Sequence, residues 1–460
     1  MHFLALDLGS SFIKGAVLDL DEPRIRHPQR VAFPEAIPGL PAGFREYDPG
    51  AVVAATRAVL ERLMACAADA RGCVVCSQLH SLVFADPGGR PLSTILTWQD
   101  QRAMQPFSDA GGTYFDEINR RLAREERRQL GNEPRPGVPL CFLFWLAHNR
   151  ALPGSPAIAT SLPSFVVANL CATTPALDLT NAFAHGALDV EAGDWHRGVI
   201  AKLGLENIQW PAILPQGAIL GEARLGARPL PFFVPVGDYQ CSQLGAGLQE
   251  GELSVNISTG SAVIQLAAGL EWGDYQTRPW FDGRHLKTIT HIPGGRALDA
   301  LMRLLGELAE AQGVRLRDPW GYALEQAGRL PTTALRVNPA FYASAMGDQG
   351  AITNAREENL TVGHLFRTAF EGMADNYAQC ARRVCPAGDW RRLLFSGRVA
   401  LKTPLLRRLI CDRLGREHRL APSEEDTLLG LLALALAFSG RAASVLGAAA
   451  WLSTHYQPGT

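Results

Sequence analysis

The sequence predicts an α/β protein of two domains. At 460 residues the chain is longer than one hydrophobic core ordinarily serves. Strand-length apolar runs and helix-period segments follow one another along it. A hairpin with a small-residue turn stands near the start of each half, at Leu4–Val17 and Ser254–Leu266, the nearest thing to an internal repeat.

Residues 3–8 form an apolar run ending in Asp7, residues 12–20 a second run, and Gly9-Ser10-Ser11 turns between them. This is a strand-turn-strand pattern, and no G-x-x-x-x-G-K-[ST] loop occurs in the chain. Ser10 and Ser11 offer hydroxyl and N–H donors to a phosphate, Gly9 allows close approach, and Lys14 is placed to face the same group. Asp7 ends its strand where it can hold Mg²⁺ through water. Taken alone, the pattern fits an ordinary hairpin.

Asp48-Pro49 opens a helix, with an acid at the N-cap, proline at the first helical position, and Val52, Ala55, Val59 and Leu63 at helical spacing. Cys73–His80 reads as a strand ending in Ser77, Gln78 and His80, and Ile95–Arg102 as a second run ending in Trp98, Asp100 and Arg102. Two strand ends carrying amide, imidazole, indole and charged groups make a wall suited to hydroxyl-rich ligands. His80 alone would be a surface histidine and Trp98 alone a core residue. Residues 104–135 are charged with helical stretches, Leu140–His148 is an apolar element, and 178–195 is a loop with a short hairpin before a helix. The interval 205–231 is rich in Pro and Gly, with little periodicity.

A short apolar run, Phe232–Val236, then delivers Gly237-Asp238-Tyr239-Gln240, an acid near mid-chain. Gly245-Ala-Gly247 misses the dinucleotide fingerprint and is read as a helix end and the crossing into the second domain, so the domains are 1–242 and 243–460. There Ser258-Thr259-Gly260-Ser261 repeats the small-residue turn, Gly294-Gly295 precedes a helix, and Ser396-Gly397-Arg398 ends a strand. Helices are predicted at 362–383, 404–414, 426–438 and 442–452, and residues 340–363 read as loop. One acid and two phosphate turns, one turn in each half, suggest a nucleotide held between two lobes.

Composition bounds the remaining possibilities. Hydrophobic residues are 47% and charged residues 19%, the balance of a globular protein, and the net charge of −1 leaves no footprint for nucleic acid or an anionic membrane. No basic-then-apolar leader opens the chain, and the run Leu428–Phe438 is shorter than the ~18 residues of a membrane span. Nine cysteines, an odd and scattered set, suggest a reducing compartment, hence the cytoplasm. Cys73 and Cys76 sit on opposite faces of a strand, which disfavours joint chelation.

In order along the chain, Asp7-Leu-Gly9-Ser10-Ser11-x-x-Lys14 is similar to the first phosphate motif of the actin/hexokinase/Hsp70-like fold. Ser77-Gln78-Leu79-His80 resembles the G-Q-M-H segment of the FGGY carbohydrate kinases, and Trp98-Gln-Asp100-Gln-Arg102 their W-x-D-x-R. Thr180-Asn181-Ala182, Gly237-Asp238, Ser258–Ser261 and Ser396-Gly397 follow in family order. Within the family, Thr-Trp-Gln-Asp-x-Arg, Gly-Asp-x-Gln and Val-Asn-Ile-Ser-Thr look most like the sedoheptulokinases. Ser77 departs from the usual glycine, and Ser396-Gly397-Arg398 from a Gly-rich turn at the adenosine, with Arg398 either stacking on the purine or crowding it.

The resemblance implies an α/β fold of two actin-like (ribonuclease H-like) domains, the N-terminal one binding sugar, the C-terminal one binding ATP, with an ATP/sugar cleft between them. It implies a kinase acting on a terminal hydroxyl of a ketose, sedoheptulose first, with a xylulose- or ribulose-type kinase or a non-catalytic actin-like nucleotide binder as alternatives. Asp238 is expected as the catalytic base. Gln78, His80, Trp98, Asp100, Asp238 and Gln240 are expected about the sugar. Gly9, Ser10, Ser11, Lys14, Thr259, Gly260, Ser261, Gly294, Gly295, Gly397 and Arg398 are expected about ATP, with Asp7 and Asp238 at Mg²⁺. Small-molecule sugar and ATP are the expected partners; nucleic acid and membrane are not, and a homodimer is left open.

Overall fold

The computed structural model describes residues 1–108, 111–154, 156–226, 228–331 and 333–456. The chain divides into two packed units, one of Met1–Gly247, Thr277–His285 and Glu425–Thr460, the other of Leu248–Gln276 and Leu286–Glu424.

The first unit is built on a seven-stranded sheet. Strand His2–Leu8 turns back antiparallel onto Phe12–Asp19, with Asp7 opposite Lys14, and Phe12–Asp19 pairs antiparallel with Arg24–Ala32. On its other side His2–Leu8 runs parallel to Cys73–Ser77. Beyond that lie Pro229–Phe233 and Ile219–Arg224, while Val236–Gly237 also pairs with Cys73–Ser77. The continuous apolar runs Phe3–Leu6 and Cys73–Cys76 are buried, as expected for strands covered on both faces. Helix Pro49–Cys66 covers one face with Val52, Val59, Leu60 and Leu63. The Asp48 carboxylate starts that helix by accepting the Gly50 N–H at 2.7 Å, a cap contributing about 1 kcal/mol.

The second unit repeats this order. Glu252–Ile257 turns back antiparallel onto Gly260–Ala267 and runs parallel to Arg392–Ser396, which runs parallel to His418–Leu420. His285–Pro293 continues this sheet on the hairpin side. The long helix Val362–Val384 buries Phe366, Phe370, Met373 and Tyr377 against this sheet's core.

Two expectations are corrected. A single cut after residue 242 does not describe the packing, because the segment from Glu425 onward belongs to the first unit. Its helix Asp426–Phe438 is apolar on every face, and burying it takes contacts with His2–Leu8, Cys73–Ser77 and helix Asp238–Gly245. At Gly245 a Cβ would lie 1.8 Å from Asp426 O, so glycine lets these two helix ends touch backbone to backbone. Second, the interval 205–231 holds the hairpin strand Ile219–Arg224 and the start of its partner. Pro229 and Pro231 disguised the partner, but it meets Cys73–Ser77 only at Phe232, so neither proline is asked for a ladder bond there. Within 340–363 a short strand, Ala351–Thr353, pairs with Arg336–Asn338.

Candidate active site

In the first unit, the Asp7 carboxylate is buried at the end of strand His2–Leu8 and accepts the Thr427 hydroxyl at 2.8 Å. Lys14, opposite Asp7, extends its Nζ to Glu425 at 2.7 Å. Gly9 closes the turn by donating to Phe12 O, and Ser10 and Ser11 are exposed at its tip.

Asp238 is the first residue of helix Asp238–Gly245, delivered by strand Val236–Gly237. The Thr180–Asn181 segment aims it. The buried Asp178 caps helix Leu179–Ala184 by accepting the N–H groups of Thr180 and Asn181. Thr180 Oγ1 accepts the Gly237 N–H at 2.8 Å, and Asn181 Nδ2 donates to Pro235 O at 2.8 Å. The backbone on the N-terminal side of Asp238 is thus pinned by side chains from another element.

Three carboxyls share this region. Burial, and then the charge of Asp7, raise the Asp238 carboxyl to about 8. Burial is the main cause again for Asp426, which is raised to about 7 with Asp7 contributing, and for Asp7 itself. Carboxyls raised together in a poorly solvated place form a site that favours added positive charge. Hard carboxylate oxygens suit Mg²⁺, which takes one or two of them together with water and phosphate oxygens. Among the described residues no group of three or more His, Cys, Asp or Glu side chains is arranged to hold a metal by itself. The donor set therefore fits Mg²⁺ carried in with phosphate rather than caged by protein.

The expected sugar-facing residues divide. The amides of Gln78 and Gln240 are buried, and among the described residues neither their oxygens nor their nitrogens have a hydrogen-bond partner. A buried amide left so costs about 1–3 kcal/mol, which hydroxyls of a ligand would offset. Trp98 presents an indole that is 43% exposed. Asp100 is corrected: it is fully buried, accepts the N–H groups of Arg45 and Arg102, and takes the Arg102 guanidinium through Nε and Nη2. It shapes the Trp98–Arg102 loop from beneath. Ser77, the departure from glycine, is also buried, and its hydroxyl donates to Leu8 O at 3.1 Å.

His80 is held with φ 59°, in the left-handed region that non-glycine residues seldom adopt. Its Nδ1 lies 3.1 Å from Ala184 O, and its Nε2 lies 2.9 Å from Arg135 Nη2 and 3.0 Å from Glu133 Oε1. Burial, the main cause, lowers the imidazole below its ordinary value, against the opposing pull of Glu133. Glu133, fully buried, also faces Arg278, whose guanidinium lies 4.7 Å from the Tyr239 ring. Arg135 and its neighbours hold Glu133 ionised, well below the usual carboxylate range, despite burial.

The sequence reading passed over Glu133, Arg135, Arg278, Asp426 and Thr427. Glu133 and Arg135 lay in a charged stretch without a motif. The acid run before an apolar helix at Glu425-Asp426-Thr427 was the one available signal for the last pair.

The second unit assembles its own predicted residues. Ser258 O accepts the Gly295 N–H at 2.8 Å, and Thr259 O accepts the Arg296 N–H at 3.0 Å, seating the hairpin turn on the first turn of helix Gly295–Ala311. A Cβ on Gly294 would lie 2.4 Å from Ser261 Oγ. Gly397, at φ +82°, leaves no room either, since a Cβ there would lie 2.6 Å from Ile257 O. Thr259 and Gly260 are exposed at the turn, and Arg398 is exposed at the start of helix Arg398–Lys402. Small residues close to a helix N-terminus, with Thr259 and Gly260 exposed, suit the close approach of phosphate or ribose oxygens.

Among the described residues no helix is long and apolar enough to cross a membrane. The autoinducer-2 kinase of Photorhabdus laumondii is 25% identical over 362 residues, covering 74% of this chain and 66% of that protein, so the match spans just under two thirds of the relative's length. A ligand-bound xylulose kinase from Lactobacillus acidophilus superposes with a TM-score of 0.83 at 17% identity, over 97% of this chain and 91% of the other. A glycerol kinase from Plasmodium falciparum, solved with ADP, gives 0.83 at 17% identity, over 98% and 92%. These two likenesses establish a shared α/β two-domain fold. Residues 2–243, more than half of the chain, match the N-terminal domain of the FGGY family of carbohydrate kinases, and this protein belongs to that family.

Proposed function

We propose that this chain is an ATP-dependent carbohydrate kinase that transfers the terminal phosphoryl group of ATP to a primary hydroxyl of a sugar. The observation that carries the reading is Asp238, partly accessible, pinned by Thr180 and Asn181, and raised to about 8 beside Asp7 and Asp426. Asp238 orients the attacking hydroxyl and accepts its proton at Oδ as the bond to phosphorus forms. Asp7, held by Thr427, faces the cation side of the phosphates. Bound Mg²⁺ supplies positive charge that offsets the phosphates and draws the neighbouring carboxyls toward their ionised forms. Gln78, Gln240 and Trp98 read the sugar's hydroxyls and C–H face. Gly9, Ser10, Ser11 and Lys14 in the first unit, and the Thr259–Ser261, Gly294–Gly295 and Gly397–Arg398 segments in the second, each bring their own contacts to the nucleotide.

For the acceptor we propose a ketose, with sedoheptulose giving its 7-phosphate as the first candidate on motif resemblance. A xylulose- or ribulose-type substrate is favoured instead by the likeness to xylulose kinase. Nine free thiols suit a reducing compartment such as the cytoplasm. A coupled ADP-release screen over ketoses, aldonates and polyols, with Mg²⁺, tests the activity and names the sugar. Asp238→Asn is expected to lower kcat about 10²–10⁴-fold with the fold intact. Near-parental turnover by that variant removes Asp238 from the chemistry. ATP binding with no sugar-dependent ADP release across the screen would favour a non-catalytic nucleotide-binding protein.

A further inference from the structure

Two segments of the second unit meet at its hairpin turn, and a tyrosine from a third element reaches both. Tyr377 sits on helix Val362–Val384 and is wholly buried. Its hydroxyl lies 3.0 Å from Ser261 Oγ, in the strand that leaves the turn. The same hydroxyl donates to Pro293 O at 3.2 Å, just before Gly294-Gly295. The fit here is close: a Cβ on Gly294 would lie 2.4 Å from Ser261 Oγ, so the place of that oxygen bears directly on the place of Gly294. Backbone contacts complete the joint, with the Gly295 and Arg296 N–H groups donating to Ser258 O and Thr259 O at 2.8 and 3.0 Å. Tyr342 also holds the helix start, accepting the Gly294 N–H at 3.4 Å, whereas Tyr377 ties that start to the hairpin. Thr259 and Gly260, at the tip of the turn, are what the joint leaves exposed.

We propose that Tyr377 is a positioning residue for the nucleotide: through Ser261 and Pro293 its hydroxyl sets the Thr259–Gly260 turn and the Gly294–Gly295 helix start in one arrangement before ATP arrives. Being wholly buried, Tyr377 acts through these segments and not by touching the nucleotide. A turn already ordered takes up phosphate or ribose oxygens without losing that freedom on binding. The hydroxyl inherits its place from a rigid support, a 23-residue helix whose Phe366, Phe370 and Met373 are packed in the core. Without the hydroxyl, Pro293 O loses a donor and Ser261 Oγ loses the partner that holds it beside Gly294. The inference rests on the reading of these segments as nucleotide contacts, and ATP binding tests it without turnover.

The test uses the full chain. Tyr377→Phe keeps the ring and removes the hydroxyl. It is expected to raise the KM and the calorimetric Kd for ATP about 5–50-fold, and to leave kcat and the sugar KM within about threefold of the parent. Ser261→Ala is expected to weaken ATP binding in the same direction, with the double variant no worse than Tyr377→Phe within about twofold. Phe370→Leu loosens the same helix away from the joint; it is expected to lower the melting temperature and leave the ATP Kd within about twofold, which separates positioning from packing. Should Tyr377→Phe not accumulate folded, Ser261→Ala decides by the same measurements. An ATP Kd raised less than about threefold, an equal loss in sugar KM or kcat, losses that multiply in the double variant, or a matching loss of ATP binding in Phe370→Leu each overturn the proposal. A parent that binds ATP yet transfers no phosphate overturns the kinase reading and leaves Tyr377 to be judged by Kd alone. A parent that binds no ATP overturns both.

Discussion

The hairpins His2–Leu8/Phe12–Asp19 and Glu252–Ile257/Gly260–Ala267 hold the same place in their two sheets and carry different chemistry. In each, the first strand runs antiparallel to the second and parallel to a strand from later in its unit. Asp7 stands one residue before its strand ends, beside Cys76 of the parallel neighbour. Asn256 stands at the matching place beside Ser396, to which its amide donates at 2.8 Å. The first hairpin thus carries an acid that burial raises, close to two further acids that are raised in turn. The second carries a neutral amide, satisfied locally, among glycines that bring backbone close to backbone. One ribbon geometry therefore serves two purposes: charge management in the first unit and close, uncharged contact in the second. On the proposed reading, the first handles cation, phosphate and proton, and the second the remainder of the nucleotide.

Converting one hairpin toward the other is the sharpest way to break this contrast. Asp7→Asn places in the first hairpin the residue type of the second. On the kinase reading kcat is expected to fall about 10²–10³-fold. Steady-state assays at saturating ATP, Mg²⁺ and sugar check this, and a loss under fivefold would remove the distinction. In the second hairpin, Gly294→Ala fills the space against Ser261. The expected result is an ATP KM raised about tenfold, sugar affinity unchanged, and about 1–3 kcal/mol of lost stability. If instead sugar binding suffers, the second hairpin is not a nucleotide element.

The acids also make stability depend on pH. Asp238 titrates at about 8 in the folded chain against an ordinary 3.8. Its folded value is raised, so its contribution is most favourable below about pH 4 and is lost as pH rises through 8. The parent is expected to melt lower at pH 8 than at pH 5. Asp238→Asn, neutral throughout, should melt higher than the parent at pH 8, by a margin that shrinks at pH 5 and closes toward pH 4. Equal melting of parent and variant at pH 8 would show that the carboxyl is not raised. A smaller change is expected from Thr427→Val, which removes the hydroxyl that Asp7 accepts and should cost about 1 kcal/mol in urea unfolding. The smallest is expected from Glu425→Gln, since the Lys14–Glu425 pair is well solvated and contributes under about 1 kcal/mol. A large loss there would make Lys14 a structural cation rather than one available to phosphate.

Local signals were legible where they were strong. Asp48-Pro49 starts its helix by a side-chain cap, Pro404–Leu414 is bounded by proline and glycine, and the apolar helix Asp426–Phe438 begins where its acid stands. The two hairpins were legible because turns of small residues between apolar runs are specified within a few positions. Asp100 misled because a W-x-D-x-R spacing says nothing about which way the carboxylate turns, and here Arg102 and Arg45 consume it. The partners of the two His80 ring nitrogens were illegible for a different reason, since they lie 104 and 55 residues away.

What the sequence by itself determined is the set of turns, caps and apolar runs, and with them the repeated hairpins and the acid that follows Gly237. Interactions within a few residues settle such features. The tertiary structure alone decided that the segment beginning at Glu425 returns to the first unit, bringing Asp426 and Thr427 to Asp7 and Asp238. It also decided that His80 faces Arg135 and Glu133. Burial of an all-apolar helix and the pairing of charges inside a core are satisfied only by partners far away in the chain, and no short window of sequence contains them.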